Sequence, residues 1–316
     1  GENNLSESGS KTITTANWNT QEFFDSVTDG NEYKEFQTKK NWDESKYIVR
    51  LDRLCSVIRE LNADVFVLEE IENEAILYDI SNRLIGDSWK TNERLAYSCF
   101  CKENGSSIGT AILSRYPIES VKTHSLDIRT QKEKQPSMRP VLEARIRVDD
   151  KELVVFGNHW KSKSGSAEET EIWRDWQESC VTRLLLKNHN KGGAFIVCGD
   201  LNRNANEFIL NSGNAGLEGN IIFRNAGFGE TKNLTVYNPW FNEDRKYSGE
   251  TGSYFYNDEW ERIDHIISFG KAKITSFKPR NDGEWADENG IPKKYLVYKG
   301  EGYSDHLPVM ATVKIE

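Results

Sequence analysis

Eight polar side chains stand at the ends of apolar stretches of this 316-residue chain or in the short motifs beside them: Asn19, Glu70, His159, Asp200, Asn202, Asp264, Asp305 and His306. Hard oxygen donors with no thiolate among them select Mg2+, Mn2+ or Ca2+ over zinc. Two histidines suit a phosphodiester transition state, because each can donate a hydrogen bond to a non-bridging oxygen. Asp305 adjoins His306 and cannot easily orient that imidazole. Asp264, from a separate stretch, can do so by accepting its Nδ1 proton. Singly, each residue has a bland reading: Asn19 ends a turn, Glu70 is a solvated edge acid, His159 is structural. Together they are an inventory for metal-assisted phosphoester hydrolysis. No Walker loop, GxSxG motif or dinucleotide fingerprint competes with that reading.

Such residues need rigid elements to hold them. Gly193–Asn202 (GAFIVCGDLN) reads as a strand buried on both faces, and Gly199 lets its backbone turn without a Cβ clash before Asp200 and Asn202. Asp64–Glu70 (DVFVLEE) is a second buried strand ending in acids. Glu69 and Glu70 point to opposite faces of its pleat, so only one can face a site. Thr12–Asn19, Ile108–Ser114, Leu153–His159, Arg262–Phe269 and Val309–Ile315 read as further strands, and alternation gives Val141–Val148 one wet face.

Two amphipathic helices are expected. Ser45–Leu61 carries Ile48, Leu51, Leu54, Cys55, Ile58 and Leu61 at three- and four-residue steps, with Arg50, Asp52, Arg53 and Arg59 between them. Glu171–Lys187 carries Ile172, Trp176, Cys180 and Leu184, widened by Trp173, Val181 and Leu185, as a core stripe. Each half of the chain therefore has a helix followed by a buried strand ending in an acid, which suggests two similar layers. Residues 203–257 show weak periodicity and read as loops.

Composition sets the class. With 37% hydrophobic and 29% charged residues, the chain is expected to fold as one unit over residues 12–316, behind a mobile segment at 1–11. The opening GENNLSESGS has no initiator Met, and suits a secreted or periplasmic mature form from which a leader was removed. The formal charge of −9 argues against broad adhesion to nucleic acid or anionic membrane, without excluding a local basic groove. No run approaches membrane-spanning length. Five cysteines without metal-type spacing give neither a disulfide framework nor a zinc site; Cys55, Cys180 and Cys198 read as buried small hydrophobes.

From Thr12 to Val313 the motifs stand in the order found in one family. The chain resembles the endonuclease/exonuclease/phosphatase superfamily, with the DNase I-like fold, through ANWN, LEEIEN, NHWKSK, GDLN, RIDHI and SDHLP. The resemblance implies an α+β, four-layer sandwich: two mixed, mainly antiparallel β-sheets face to face, with helices on both outer faces. It makes Glu70 the principal Mg2+ ligand, with Asn19 and Asp305 near the metal and Mn2+ or Ca2+ as substitutes. Asp200 positions or deprotonates the attacking water, and Asn202 holds that water and the phosphate. His159 and His306 stabilise the pentacovalent phosphorus, and Asp264 orients His306. Asn158, Arg139, Lys161 and Arg203 are further candidates for substrate phosphate.

Two departures stand out. Gln21 follows Asn19 by two residues where some members carry an acid, and Arg203 stands where many have Asp. With Lys161 and Lys163, Arg203 is expected to form a phosphate-facing basic patch. NHWKSK and EEIEN are similar to bacterial secreted or periplasmic nuclease-like members. The first reading is thus a monomeric, Mg2+-dependent nuclease acting on DNA or RNA. A phosphoinositide or sphingolipid phosphodiesterase or phosphatase is the second, with Tyr237–Phe241 as a stretch that could enter a membrane surface. A catalytically silent binding module is the third, disfavoured by the complete set of acids and histidines.

Overall fold

The computed structural model describes residues 9–85, 94–128, 133–189, 192–213, 219–225, 232–249 and 251–316. The first elements are β1 (Lys11–Phe23), α1 (Glu44–Leu61), β2 (Val65–Ile71), α2 (Glu74–Ile85), β3 (Tyr97–Cys101), β4 (Gly109–Ser114) and β5 (Ile118–His124). Next come β6 (Val141–Val148), β7 (Lys151–His159), α3 (Ala167–His189) and β8 (Ala194–Asp200). Short strands then follow: β9 (Ile209–Leu210), β10 (Ile221–Phe223), β11 (Leu234–Val236), β12 (Tyr254–Tyr256) and β13 (Glu259–Glu261). The chain closes with β14 (Asp264–Gly270), β15 (Ala272–Pro279) and β16 (Val309–Ile315).

Two mixed sheets form a sandwich, one ordered β15–β16–β1–β2–β4–β3 and the other β14–β8–β7–β6–β5. Each contains one parallel pair joined by a helix: β1 and β2 through α1, β7 and β8 through α3. The helix-then-acidic-strand repeat is this pair of βαβ units, one per sheet. Strand pairing then fixes which residues face the interior. Thr15, Asn17 and Asn19 share a face with Val65, Val67 and Glu69, while Val155, Gly157 and His159 share one with Ile196, Cys198 and Asp200. A Cβ at Gly157 would come within 3.1 Å of Thr110 and 3.4 Å of Val67, so bare backbone lets the sheets meet there.

Helices cover both outer faces. Leu54 and Ile58 of α1 and Ile76 and Ile80 of α2 pack on Trp18, Phe66 and Leu68 of the first sheet. Val181 and Leu185 of α3 join Phe156 and Phe195 of the second. Amphipathic stripes of this kind, each buried large side chain contributing roughly 1.5–3 kcal/mol, hold the four layers together.

Several expectations change. Lys11, inside the segment expected to be mobile, already pairs with Ile315; residues 1–8 lie outside the described residues. On α1, Ile48 is 41% exposed and Arg50 is buried, which turns the apolar stripe by one position. Strand β6 shows the expected alternation over Arg145–Val148 but is buried on both faces over Val141–Ala144, where Glu143 is paired with His124 at 3.1 Å and Arg145 at 3.5 Å. Cys180 is partly exposed and packs with Ile172 and Trp176 beside Met138 and Trp173, away from the main core. Trp240 and Phe241 are buried, and the Trp240 indole donates to the Asp264 carbonyl at 2.9 Å. Tyr237 exchanges backbone hydrogen bonds with Ser268. Tyr237–Phe241 thus closes the edge of β14 and cannot enter a membrane surface. No helix among the described residues is long and apolar enough to cross a membrane.

His265, next to Asp264 on β14, is a structural residue. It is fully buried; its Nε2 stands 2.8 Å from the Arg203 carbonyl and its Nδ1 3.2 Å from the Asn238 amide. A donor at Nε2 and an acceptor at Nδ1 define the neutral ring. Burial pushes its pKa down to about 4. Unfolding releases it to an ordinary value near 6.5, so the unfolded chain binds the extra proton between about pH 6.5 and 4. Stability should fall as pH drops through that window, by at most about 3 kcal/mol from this group. Urea unfolding of His265→Asn against the parent should show the gap between them narrowing as pH falls from 6.5 to 4. A gap constant with pH would mean that the buried ring takes up a proton freely.

Candidate active site

The two sheets meet at one end of the sandwich, where β1, β2, β7, β8 and β14 deliver their terminal side chains to one point. Asp200 lies at its centre. Gly199 lets β8 pass β7, since a Cβ there would stand 2.0 Å from the Asn158 carbonyl oxygen. Beyond it, the Asp200 Oδ2 accepts from the Asn19 amide at 2.9 Å, and its Oδ1 from the Asn202 backbone N–H at 3.0 Å. The Nε2 atoms of His159 and His306 stand 3.5 and 3.7 Å from the same Oδ2. On the far side of His306, Nδ1 is 2.8 Å from Asp264 Oδ2. Asp264 faces Asp200 across the antiparallel β14–β8 pair, so register alone brings the two carboxylates to one imidazole.

Electrostatics follow from the burial. Desolvation would lower the His306 pKa, but the Asp264 and Asp200 carboxylates outweigh it and hold the ring protonated well above the ordinary histidine range. His159 is pushed down to about 4 by burial and the Arg139 guanidinium, so its ring is neutral at pH 7. For Asp200, burial works against the charge, yet His306, His159 and the Asn19 amide keep the carboxylate ionised to unusually low pH.

A second group of carboxyls lies to one side. Glu70 sits at a bulge in β2 with φ +63°. Burial and the neighbouring Asp305 push its carboxyl up to about 7. Asp305 keeps a buried Oδ1 with no hydrogen-bond partner. Of the pair Glu69 and Glu70, only Glu70 faces this pocket. Glu69 is fully buried beneath Asp200, accepting at Oε1 from the Asn17 amide at 2.9 Å and from the Asp200 N–H at 3.0 Å. Burial and the carboxylates of Asp264 and Asp200 hold Glu69 neutral, well above the carboxylate range.

The bulge is braced from α1. Gln21 and Glu22 of β1 also have positive φ, +55° and +48°, each an uncommon backbone state for a non-glycine residue. The buried Arg50 guanidinium donates to the carbonyls of Thr20 (3.1 Å), Gln21 and Glu22 (2.7 Å), and lies 3.8 Å over the Tyr295 ring. The Gln21 side chain points the other way. Its Oε1 accepts from the backbone N–H groups of Tyr295 (2.8 Å) and Asp305 (3.0 Å), so the amide at this departure ties down the segment bearing Asp305. Trp18 adds an indole hydrogen bond of 3.0 Å to the His306 carbonyl.

Asn19, His159, Asp200, Asn202, Asp264 and His306 thus converge, with Glu70 and Asp305 beside them. Arg139 is half-buried, 3.2 Å from the Trp160 carbonyl. Lys161 is held near the site by its backbone N–H, which donates to Gln177 at 2.7 Å. Two candidates do not reach the cleft with their polar groups. The Asn158 amide is occupied by the Phe156 carbonyl (3.1 Å) and the Trp160 indole (3.2 Å). Arg203 is fully buried and pairs with Glu171, Asp175 (2.8 Å) and Glu178 (3.6 Å) of α3. The buried Glu178 and the half-exposed Glu171 and Asp175 of α3 hold the guanidinium, so the expected phosphate contact is corrected to a structural ion cluster. Lys163 is likewise neutralised by Glu207, at 2.8 Å.

Sequence reading missed Asn17, Glu69, Arg50 and Tyr254. The signal for Asn17 was its place two residues before Asn19 on the same strand face, and for Arg50 a charge lying three residues after Tyr47 inside the apolar stripe. Tyr254, whose ring centroid is 4.7 Å from that of His306, lies on a three-residue strand with no periodic signal at all.

A profile described as the Endonuclease/Exonuclease/phosphatase family matches residues 16–306. No curated protein matches the chain in sequence. Among solved structures, truncated Caenorhabditis elegans TDP2 superposes with a TM-score of 0.59 at 14% identity, covering 96% of this chain and 97% of that one. D. rerio TDP2 complexed with single strand DNA product gives 0.55 at 15%, covering 96% and 98%. The Bacteroides thetaiotaomicron mannosyl-6-phosphatase Bt3783 gives 0.56 at 14%, covering 95% and 99%. At these identities the likeness is one of fold, and it agrees with the two-sheet sandwich described above.

The brace is testable. Arg50→Met keeps the stem's packing but leaves the buried Thr20 carbonyl and the part-buried carbonyls of Gln21 and Glu22 without their donor. It should cost about 3 kcal/mol or more in urea unfolding. An unchanged midpoint would mean that the bulge stands without its guanidinium.

Proposed function

The chain belongs to the endonuclease/exonuclease/phosphatase family, and we propose that it is a divalent-cation-dependent phosphodiesterase acting on nucleic acid. Hydrolysis of phosphoesters is common ground for the family. The observation that carries the hydrolytic mechanism is the ionised carboxylate of Asp200, ringed by His159, His306 and the amide of Asn19. Asp200 holds little affinity for a proton, so its task is to accept a hydrogen bond from the attacking water and aim it at phosphorus. His306 is an imidazolium and donates its Nε2–H to a non-bridging oxygen as negative charge builds there. Asp264 keeps that ring oriented and charged. The neutral His159 supplies a second donor, and Asn202 steadies Asp200 through its backbone N–H.

The residues present fit a divalent cation at Glu70 and Asp305, with Asn19 adjacent. Two carboxyl groups are neighbours there, one pushed up to about 7 and the other with a buried oxygen that accepts no hydrogen bond and lies 3.9 Å from His306 Nε2. A hard cation relieves both, and Mg2+ is the natural occupant, with Mn2+ or Ca2+ as substitutes. When bound, the ion offsets phosphoryl charge and supports the leaving oxygen.

Nucleic acid is favoured by the motif set and by the single-stranded DNA product named for the D. rerio structure. A compact phosphate ester, such as an inositol phosphate, is the second reading. Ion pairing of Arg203 and Lys163 favours it, because it removes two cations expected to track a phosphate chain. A membrane-inserted lipid is disfavoured, since Trp240 and Phe241 are inside the fold.

Plasmid DNA, single-stranded DNA and RNA, and an inositol phosphate should be incubated with Mg2+, Mn2+ or EDTA. Cleavage of nucleic acid should stop with EDTA. His306→Ala should lower turnover by about a hundredfold or more at unchanged metal requirement. Glu70→Gln should instead raise the Mg2+ needed for half-maximal rate by about tenfold or more, since a charged ligand is lost. Parent-like rates from His306→Ala would overturn the mechanism, and hydrolysis of the inositol phosphate alone would promote the second reading.

A further inference from the structure

The β12–β13 hairpin stands over this cleft and has no part in the chemistry just described. Its register pairs Tyr254 with Glu261, Phe255 with Trp260 and Tyr256 with Glu259. Period-two alternation therefore places Tyr254, Tyr256, Glu259 and Glu261 on one face. Phe255 and Trp260 pack against each other on the opposite face, centroids 5.1 Å apart. The base of the hairpin is locked to the site: the Leu307 N–H donates to the Ser253 carbonyl at 2.8 Å, and Tyr254 forms a β-bridge with His306.

Three π faces consequently run in a row outward from the site. The Tyr254 ring lies 4.7 Å from that of His306, and the Tyr256 ring continues the row at 6.2 Å from Tyr254 with an interplanar angle of only 15°. Tyr256 is 59% exposed. Single exposed aromatics need no explanation, but here two rings with nearly parallel planes stack outward from the active imidazole and end in the exposed Tyr256, whose outer face is open to a further ring. Successive side chains on one strand face are about 7 Å apart, the scale of one nucleotide step.

Charge decides what can lie on that surface. Glu259 and Glu261 flank the rings, and Lys163, the ammonium whose charge bears on Glu261, is already paired with Glu207. A phosphate chain is repelled from this face. A flat ring whose edge carries N–H donors is not, since carboxylates accept from such edges. Nucleobases combine both properties.

We propose that Tyr254 and Tyr256 form a nucleobase platform beside the scissile phosphate, and that the enzyme therefore acts on single-stranded or frayed nucleic acid in preference to paired duplex. The inference rests on the nucleic-acid reading above and narrows it. In a duplex both faces of each base are covered by neighbours, and exposing one costs unpairing and unstacking. In a single strand the base is free to stack on tyrosine.

The test uses the whole chain with Mg2+, one mixed-sequence oligonucleotide, its annealed duplex, and the same strand carrying an abasic nucleotide next to the cleaved bond. The single strand should be cut about tenfold faster than the duplex, and Tyr256→Ala should raise its KM about tenfold with a smaller effect on kcat. The abasic nucleotide should cause a similar loss, and combining it with Tyr256→Ala should add little, because both remove one contact. Anisotropy of the labelled strand on the Asp200→Asn protein, which keeps the His306 ring beside Tyr254, reads the same contact as binding, should turnover be slow. Equal cutting and binding of single strand and duplex, untouched by Tyr256→Ala, would overturn the platform while leaving nucleic-acid hydrolysis intact. Hydrolysis of an inositol phosphate or hexose phosphate, with no cleavage or binding of either nucleic acid, would overturn the nucleic-acid reading and the platform with it.

Discussion

Three carboxyl groups, Glu69, Asp200 and Asp264, are buried within electrostatic reach of one another, and one imidazolium stands between two of them, Asp200 and Asp264, and favours their charged forms. Burying several like charges is prohibitive unless some are neutralised. The protein resolves this by position. Asp200 and Asp264 share the positive charge of His306, while Glu69, one layer deeper and without a cation, is held as the neutral acid. The result is an ionised Asp200 whose Oδ2 is surrounded by donors. Each neighbour that stabilises it also restricts where a water molecule can be held. Burial and reactivity are therefore one arrangement here.

That arrangement depends on strained backbone nearby. Gln21, Glu22 and Glu70 all lie at positive φ, where β1 and β2 depart from regular pairing. Each such residue stores on the order of 1–3 kcal/mol. Arg50 and Gln21 offset this by satisfying backbone groups that regular sheet pairing would otherwise occupy. The bulge turns Glu70 toward Asp305 while Glu69 continues the inward alternation toward Asp200. Adjacent glutamates thus have different surroundings: one lines the open pocket and the other supports the carboxylate from beneath. The guanidinium of α1 is thereby coupled to the carboxyl pair proposed to hold the cation, without touching it.

Much of this was legible in the sequence, and the reasons for the gaps are physical. Long apolar runs with β-branched residues announced β2, β7 and β8, and the acids or histidines at their ends marked one end of the sandwich. The βαβ repeat was visible because α1 carries a periodic stripe. On α3 the expected stripe of Ile172, Trp176, Cys180 and Leu184 is only partly buried, and Trp173, Val181 and Leu185 take the inward face with Gln177 and Thr182. Arg203 was misread because its partners, Glu171, Asp175 and Glu178, lie on a helix about 30 residues earlier, and only the fold brings them together. Arg50 was misread for the complementary reason: its partners are backbone carbonyls, which leave no trace in residue type. Between 203 and 257 the elements are two or three residues long, shorter than any period can register. Trp240 and Phe241, which look like exposed aromatics in that polar stretch, are buried by tertiary contacts with Asp264 and Tyr247.

Placement of charge, rather than its total, limits what approaches the site. A net charge of −9 is unfavourable for a polyanion, and the cations that could have compensated locally are largely withdrawn. Arg203 serves α3, Arg50 serves the bulge, and Lys163 serves Glu207. Positive charge near Asp200 then resides mainly in His306 and Arg139, enough to receive one phosphate. Outward from His306 the next groups are the rings of Tyr254 and Tyr256 and the carboxylates of Glu259 and Glu261. A substrate fitting this sequence of groups carries one phosphate at the centre and an uncharged flat group beside it. A stiff duplex places a charge every few ångströms along its whole contact. A flexible strand can turn its phosphates to solvent while one base lies on the hairpin, so the same electrostatics that oppose tight, extended binding select a locally unpaired segment.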